Sequence, residues 1–94
     1  MSILKQGSRG DEVRGVQDKL KKLGFTIESD GIFGAKTHAA VITMQTVFGY
    51  DVDGDVGPAT QKLIDQQLGY ALSGDIDKQD LLRIARSVYE QLNP

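Results

Sequence analysis

Asp30-Gly31-Ile32-Phe33-Gly34-Ala35-Lys36-Thr37 and Asp53-Gly54-Asp55-Val56-Gly57-Pro58-Ala59-Thr60 are two copies of one pattern, Asp-Gly-x-x-Gly-x-x-Thr. Each leads straight into a helical apolar pattern. In each copy the Asp carboxylate is placed to accept a backbone N–H two residues on, forming an Asx-turn. The first glycine tolerates the left-handed backbone that such a corner uses. Pro58 stands directly after Gly57, at the first helical position, where its missing N–H costs nothing. The two corners therefore read as one loop-into-helix unit used twice, and the other segments are arranged around them.

Upstream of the first corner, Val13, Val16, Leu20 and Leu23 recur at helical spacing. Ser8 and Asp11 are placed as a capping box for this first helix, with Leu4 positioned to pack over its start. Lys19, Lys21 and Lys22 suit the negative end of its dipole. Gly24 follows as a stop, with Phe25 folding back on the last turn. Phe25–Ser29 has room for a brief extended piece at most.

A second helix is predicted from Ala35 to Phe48. Its apolar residues cover a wide arc (Ala39, Ala40, Val41, Ile42, Met44, Val47, Phe48), which places it in the middle of a bundle. Gly49-Tyr50 ends it. The third helix is expected from Pro58 to about Leu68 on the stripe Ala59, Leu63, Ile64 and Leu68, with Gly69-Tyr70 as a third glycine–aromatic stop. Ala71–Asp75 reads as a polar linker. A fourth helix is predicted over Asp77–Leu92, with Asp77 as N-cap, Asp80 at N3, and Ile76 with Leu81 as a hydrophobic staple. Its stripe is Leu81, Ile84, Ala85, Val88, Tyr89 and Leu92, while Arg83, Arg86, Glu90 and Gln91 face water. The expected fold class is all-α: a three-helix domain over residues 1–70, and a linker with an added C-terminal amphipathic helix, 71–94, packed on it.

The totals exclude several classes. A chain of 94 residues has room for one core. Cysteine is absent, so there is no disulfide framework and no thiolate metal site. A net charge of −2 without a basic face gives nucleic acid no footing. No apolar run is long enough to span a membrane. Asp51-Val52-Asp53-Gly54-Asp55 invites a calcium reading, but an EF-hand loop needs Gly at its sixth place and Glu at its twelfth, and these are Val56 and Lys62. His38 is the only histidine, short of the three or four ligands of a zinc site, and reads as solvated helix surface. No Ser/His/Asp set can be assembled, a paired-carboxylate glycosidase suits a larger bundle with a cleft, and no metal or cofactor is expected.

Gln17 and Gln45 lie on otherwise apolar faces. The first reading of each is a buried amide that ties down the backbone of a corner; ligand contact is the alternative. Asp30 and Asp53 read first as turn acceptors in the same way. Among the aromatics, Tyr50 and Tyr70 have the best chance of showing a face to a ligand.

With these elements placed, residues 4–68 resemble the three-helix peptidoglycan-binding domain carried by many bacterial and phage cell-wall hydrolases. The resemblance rests on Leu4, Gly7-Ser8, Gly10, Val13, Val16-Gln17, Leu20, Leu23-Gly24-Phe25, both corners, Ala40-Val41, Gln45 and Leu63. Two departures stand out: Met44 where many members have an aromatic, and Gln61 where many have Trp. The missing Trp bears on ligand strength rather than on fold.

The resemblance implies a non-catalytic module that binds peptidoglycan, through its glycan or its stem peptides. The candidate ligand-binding residues are Asp30, Gly31, Thr37, Tyr50, Asp53, Gly54 and Thr60, with Ser8, Gln17 and Gln45 as structural polar residues. A cell-wall hydrolase or a particle protein is the expected associate. Residues 1–7 lack the apolar core of a secretory signal, so the expectation is synthesis in the cytoplasm and action at the wall by a non-classical route. The competing reading is an adaptor or structural component, of a phage tail-like particle or of a secretion or lysis system, that uses the scaffold and its extra helix to bind protein.

Overall fold

The computed structural model describes residues 3–93. It is all-helical: α1 (Asp11–Lys22), α2 (Ala35–Phe48), α3 (Pro58–Ser73), a 3₁₀ turn (Ile76–Gln79) and α4 (Asp80–Leu92). Helix α1 packs on α3, and α2 on α4. The core forms where their apolar faces meet, with Val13, Leu20, Ala40, Val41, Met44 and Ile64 wholly buried.

The N-terminal segment is stitched to both corners. Leu4 pairs with Val56 through two backbone bonds of 3.1 and 2.7 Å, and Gly7, Ser8 and Gly10 bond the backbone of Gly31 and Phe33. This stitching overturns the expected capping box. Gly10, not Ser8, precedes α1, and no side chain caps that end. Ser8 instead accepts the Lys5 N–H at 3.1 Å, closing a turn that points the chain at the first corner. Asp11 and Glu12 in the first turn still complement the helix dipole.

The stops of α1 and α2 follow expectation. The Phe25 N–H reaches Leu20 O at 3.1 Å and the Tyr50 N–H reaches Gln45 O at 2.9 Å, each folding an aromatic back over the helix it follows. The third stop moves. Helix α3 runs through Gly69 and Tyr70 to Ser73, and Gly74 takes the left-handed cap. A glycine inside a helix costs only about 1 kcal/mol, and half-buried Ala71 packs against the core from the added turn. Residue 70 therefore lies inside a helix, and Ala71–Ser73 are helical rather than linker.

The start of the last helix moves too. Asp75, not Asp77, caps the 3₁₀ turn, and α4 begins at Asp80. No staple forms, since Ile76 and Leu81 are 65% and 46% exposed. The buried residues of α4 are Leu82, Ala85 and Tyr89, so the core-facing stripe is rotated away from Leu81, Ile84 and Leu92. Tyr89 sets that rotation. Its hydroxyl donates to Thr26 O at 3.0 Å, and its ring meets Phe25 edge-on at 5.3 Å. Arg86, expected in water, is half-buried with its aliphatic stem over Gly24.

Candidate functional site: twin corner sockets

Each corner is built around a glutamine delivered by a neighbouring helix. At the first, the Gln17 amide nitrogen lies 3.2 Å from Asp30 Oδ1, 2.9 Å from Ile32 O and 3.1 Å from Thr37 Oγ1, while Gln17 Oε1 accepts the Gly31 N–H at 2.8 Å. At the second, the Gln45 amide nitrogen lies 2.9 Å from Asp53 Oδ1, 3.0 Å from Asp55 O and 3.1 Å from Thr60 Oγ1, and Gln45 Oε1 accepts the Gly54 N–H at 2.9 Å. The two sockets match atom for atom. The Asx-turns close as expected, Ile32 N–H to Asp30 and Asp55 N–H to Asp53, both at 3.0 Å.

Both glutamines are 1% exposed, so their amides could not be left unpartnered without a large cost. Gly31 and Gly54 sit at φ 76° and 75°, the left-handed conformation that the turn imposes and a Cβ resists.

Asp30 and Asp53 are held below the ordinary carboxylate range. The backbone N–H of Ile32 or Asp55 contributes most, and the Gln17 or Gln45 amide next. Both stay ionised at neutral pH. A donor-rich socket of this kind fixes a carboxylate; it does not present an acid to donate a proton. The same geometry answers the calcium reading, because Asp53 faces N–H donors rather than a cation cage. Among the described residues, no cluster of three or more His, Asp or Glu could hold a metal ion.

The candidate ligand residues divide by exposure. Gly31, Thr37, Gly54 and Thr60 are buried inside the sockets. Asp30 and Asp53 keep an open side, and Tyr50 is half-buried beside the second corner. A shallow groove of about 240 Å³ opens at the first corner between Glu28, Asp30, Ile32 and Lys36. One of about 270 Å³ opens at the second between Ile3, Tyr50, Asp51, Asp53 and Pro58. Of the wall residues, Ile3, Glu28 and Lys36 were not singled out from the sequence as site candidates, and Asp51 entered only through the calcium reading. Glu28, Lys36 and Asp51 lie in or beside the motifs, which was the one signal available, whereas Ile3 arrives from far along the chain.

His38 departs from its expected place on solvated helix surface. It is half-buried, with its imidazole against the Gly54 backbone, so a side chain from the helix after corner one braces corner two. Tyr70 sits away from both sockets, with the Lys78 ammonium 5.0 Å above its ring.

Comparison with known proteins follows the same lines. A family model described as a putative peptidoglycan binding domain matches residues 9–64. The spore cortex-lytic enzyme of Halalkalibacterium halodurans is 35% identical over 69 residues, covering 72% of this chain and 21% of that protein. A probable N-acetylmuramoyl-L-alanine amidase of Bacillus licheniformis is 32% identical over 95 residues, 98% of this chain and 26% of its own length. The chain thus spans about a quarter or less of these relatives. Among solved structures, the SleB N-terminal domain superposes with a TM-score of 0.68 at 34% identity, covering 71% of this chain and 93% of that one.

Proposed function

The chain belongs to the peptidoglycan-binding domain family, and from that footing we propose that it acts as a tether, holding cell-wall polymer at the open sides of its two corners without cutting it. It is a peptidoglycan-binding domain in sequence and in fold. The observation that carries the tethering role is the matched pair of sockets, which ties down the buried glutamine, glycine and threonine groups of both corners and, of the candidate ligand residues, leaves Asp30, Asp53 and Tyr50 facing outward.

The absence of catalysis is supported by the same geometry. Glycoside cleavage by paired carboxylates needs one acid with a raised pKa, and both corner carboxylates are pushed the other way. Shallow polar grooves return much of their gain to desolvation, so affinity is on the order of micromolar to millimolar. A module of that strength works by raising the local concentration of whatever it is joined to. We place that action at the bacterial wall. The test is co-sedimentation with purified insoluble peptidoglycan at low salt. The protein is expected in the pellet, and protein left in the supernatant beside a binding control rejects the proposal.

A second reading concerns α4. Ile84 and Leu92 are 52% and 71% exposed on the side of the helix turned from the core, next to Leu81. Two of the relatives named above, a spore cortex-lytic enzyme and a probable N-acetylmuramoyl-L-alanine amidase, are several times longer than this chain. The partner we propose for this face is therefore the catalytic part of a cell-wall hydrolase.

A further inference from the structure

Gly15 has no structural reason to be glycine. It lies in the middle of α1, exposed, with an ordinary helical backbone, and a Cβ built on it meets nothing within 4 Å. Alanine there would favour the helix by about 1 kcal/mol. A bare backbone at such a position leaves room for close approach by something outside the protein.

Gly15 floors a groove of about 560 Å³ between α1 and α3, roughly twice the volume of either corner groove. Its walls are Glu12, Lys19, Pro58, Gln61 and Asp65, and the Lys19–Asp65 ion pair, 2.7 Å long, bridges the two helices. Pro58 also lines the groove at the second corner. The two hollows therefore share Pro58 as a wall, so the trough between α1 and α3, with Gly15 and Lys19, lies next to the groove of Tyr50 and Asp53.

The chemistry of the trough selects among parts of the wall polymer. The Pro58 ring and the bare Gly15 backbone give flat apolar ground for the C–H face of a sugar ring. Glu12, Asp51, Asp53 and Asp65 accept hydrogen bonds from hydroxyl and acetamido groups, and Gln61 both donates and accepts. Lys19 is the one cation among these residues, and it is already paired. Stem peptides carry carboxylates, which an acidic trough repels; glycan hydroxyls are neutral. Two neighbouring hollows also suit a linear strand better than a short branch.

We propose that the α1–α3 trough, next to the second corner across Pro58, is the site for the glycan strand, with Gly15 at the point of closest approach. This rests on the peptidoglycan reading and names the part of the polymer that is held.

The experiment compares the wild-type chain with Gly15→Leu and Gly15→Ala on three probes: intact insoluble peptidoglycan, peptide-free glycan strands released by an amidase with the freed lactyl carboxylates blocked as methylamides, and soluble disaccharide–peptide fragments. Wild type is expected to bind the first two alike and the fragments much more weakly, with affinity for soluble glycan rising with strand length. Gly15→Leu fills the floor with a good helix former, so its melting temperature should hold or rise while retention on both polymers drops about ten-fold or more. Gly15→Ala should gain stability and lose less binding. Unchanged retention of a folded Gly15→Leu overturns the trough. So does binding to intact polymer but not to peptide-free strands. Failure of wild type on intact polymer overturns the wall-binding reading and the trough with it.

Discussion

The turns after α2 and after α3 carry one spacing and two chemistries. Gln45, Asp53 and Thr60 recur, shifted by the same interval along the chain, as Gln67, Asp75 and Leu82. Thr60 and Leu82 are each the third residue of a helix, and both are buried. At the first turn, amide, carboxylate and hydroxyl close one network. At the second, Leu82 has no oxygen to offer, and Gln67 Oε1 is buried with no partner. Asp75 reaches only the Lys78 N–H, at 3.4 Å. The last residue of the 3₁₀ turn takes over the tying, with Gln79 donating to Tyr70 O and Asp75 O. Helix α4 is then held by apolar contact and by Tyr89 rather than by a socket. Spacing sets where side chains arrive; the full set of donors and acceptors decides whether they lock the backbone.

The largest effect should come from breaking a working socket. Gln17→Leu and Gln45→Leu each strand a glycine N–H, a backbone carbonyl and a threonine hydroxyl beneath the surface. Buried groups left unmet cost about 1–3 kcal/mol each. With partial relaxation, a loss of roughly 3–4 kcal/mol is expected at either site. Against a typical total of about 5–15 kcal/mol, the double variant should not fold. Urea unfolding measures this. Equal losses support equivalent corners; a loss under about 1 kcal/mol at one of them breaks the equivalence.

Both sockets were legible in the sequence because they use local rules. An Asp with a Gly beside it defines a turn two residues long, and a Gln on an apolar face has to find partners nearby. The stops at Gly24 and Gly49 were legible for the same reason. The third turn misled. Gly69-Tyr70 looks like the other stops, yet whether a helix ends at a glycine depends on what the next turn can bury, and Ala71 finds the core. The face of α4 was misjudged because its register is set by Tyr89 meeting Thr26 and Phe25, a contact far along the chain that periodicity does not encode. His38 bracing Gly54, and the trough at Gly15, also depend on how helices lie side by side.

A smaller effect separates the corners by their charge. Asp30 and Asp53 have folded-state pKa values below the ordinary carboxylate value. The unfolded chain therefore takes up protons first as pH falls, and stability drops. Their contribution is intact above the ordinary value, begins to fade as pH nears about 4, and is gone once pH passes below the folded-state value. Melting temperature should thus hold from neutral pH to about pH 4 and fall below it. Asp30→Asn combined with Asp53→Asn should melt lower at neutral pH and show a flatter acid limb. An acid limb as steep as that of wild type would show that other carboxylates carry the loss.

The smallest effect tests the third turn. Gln67→Leu makes the substitution proposed at Gln45, at a helix position buried to a similar degree, 6% exposed against 1%. Here it removes an oxygen that has no partner and puts an apolar side chain of similar size in its place. Removing an unsatisfied buried polar group relieves its desolvation cost, so the variant should be neutral or gain up to about 1 kcal/mol in urea unfolding. The same exchange then costs stability at one residue and not at the other, and the difference lies in the four partners that Gln45 meets and that Gln67 Oε1 lacks. A loss at Gln67 approaching that at Gln45 would mean that its amide bears weight in the fold, and that the third turn is tied as tightly as the other two.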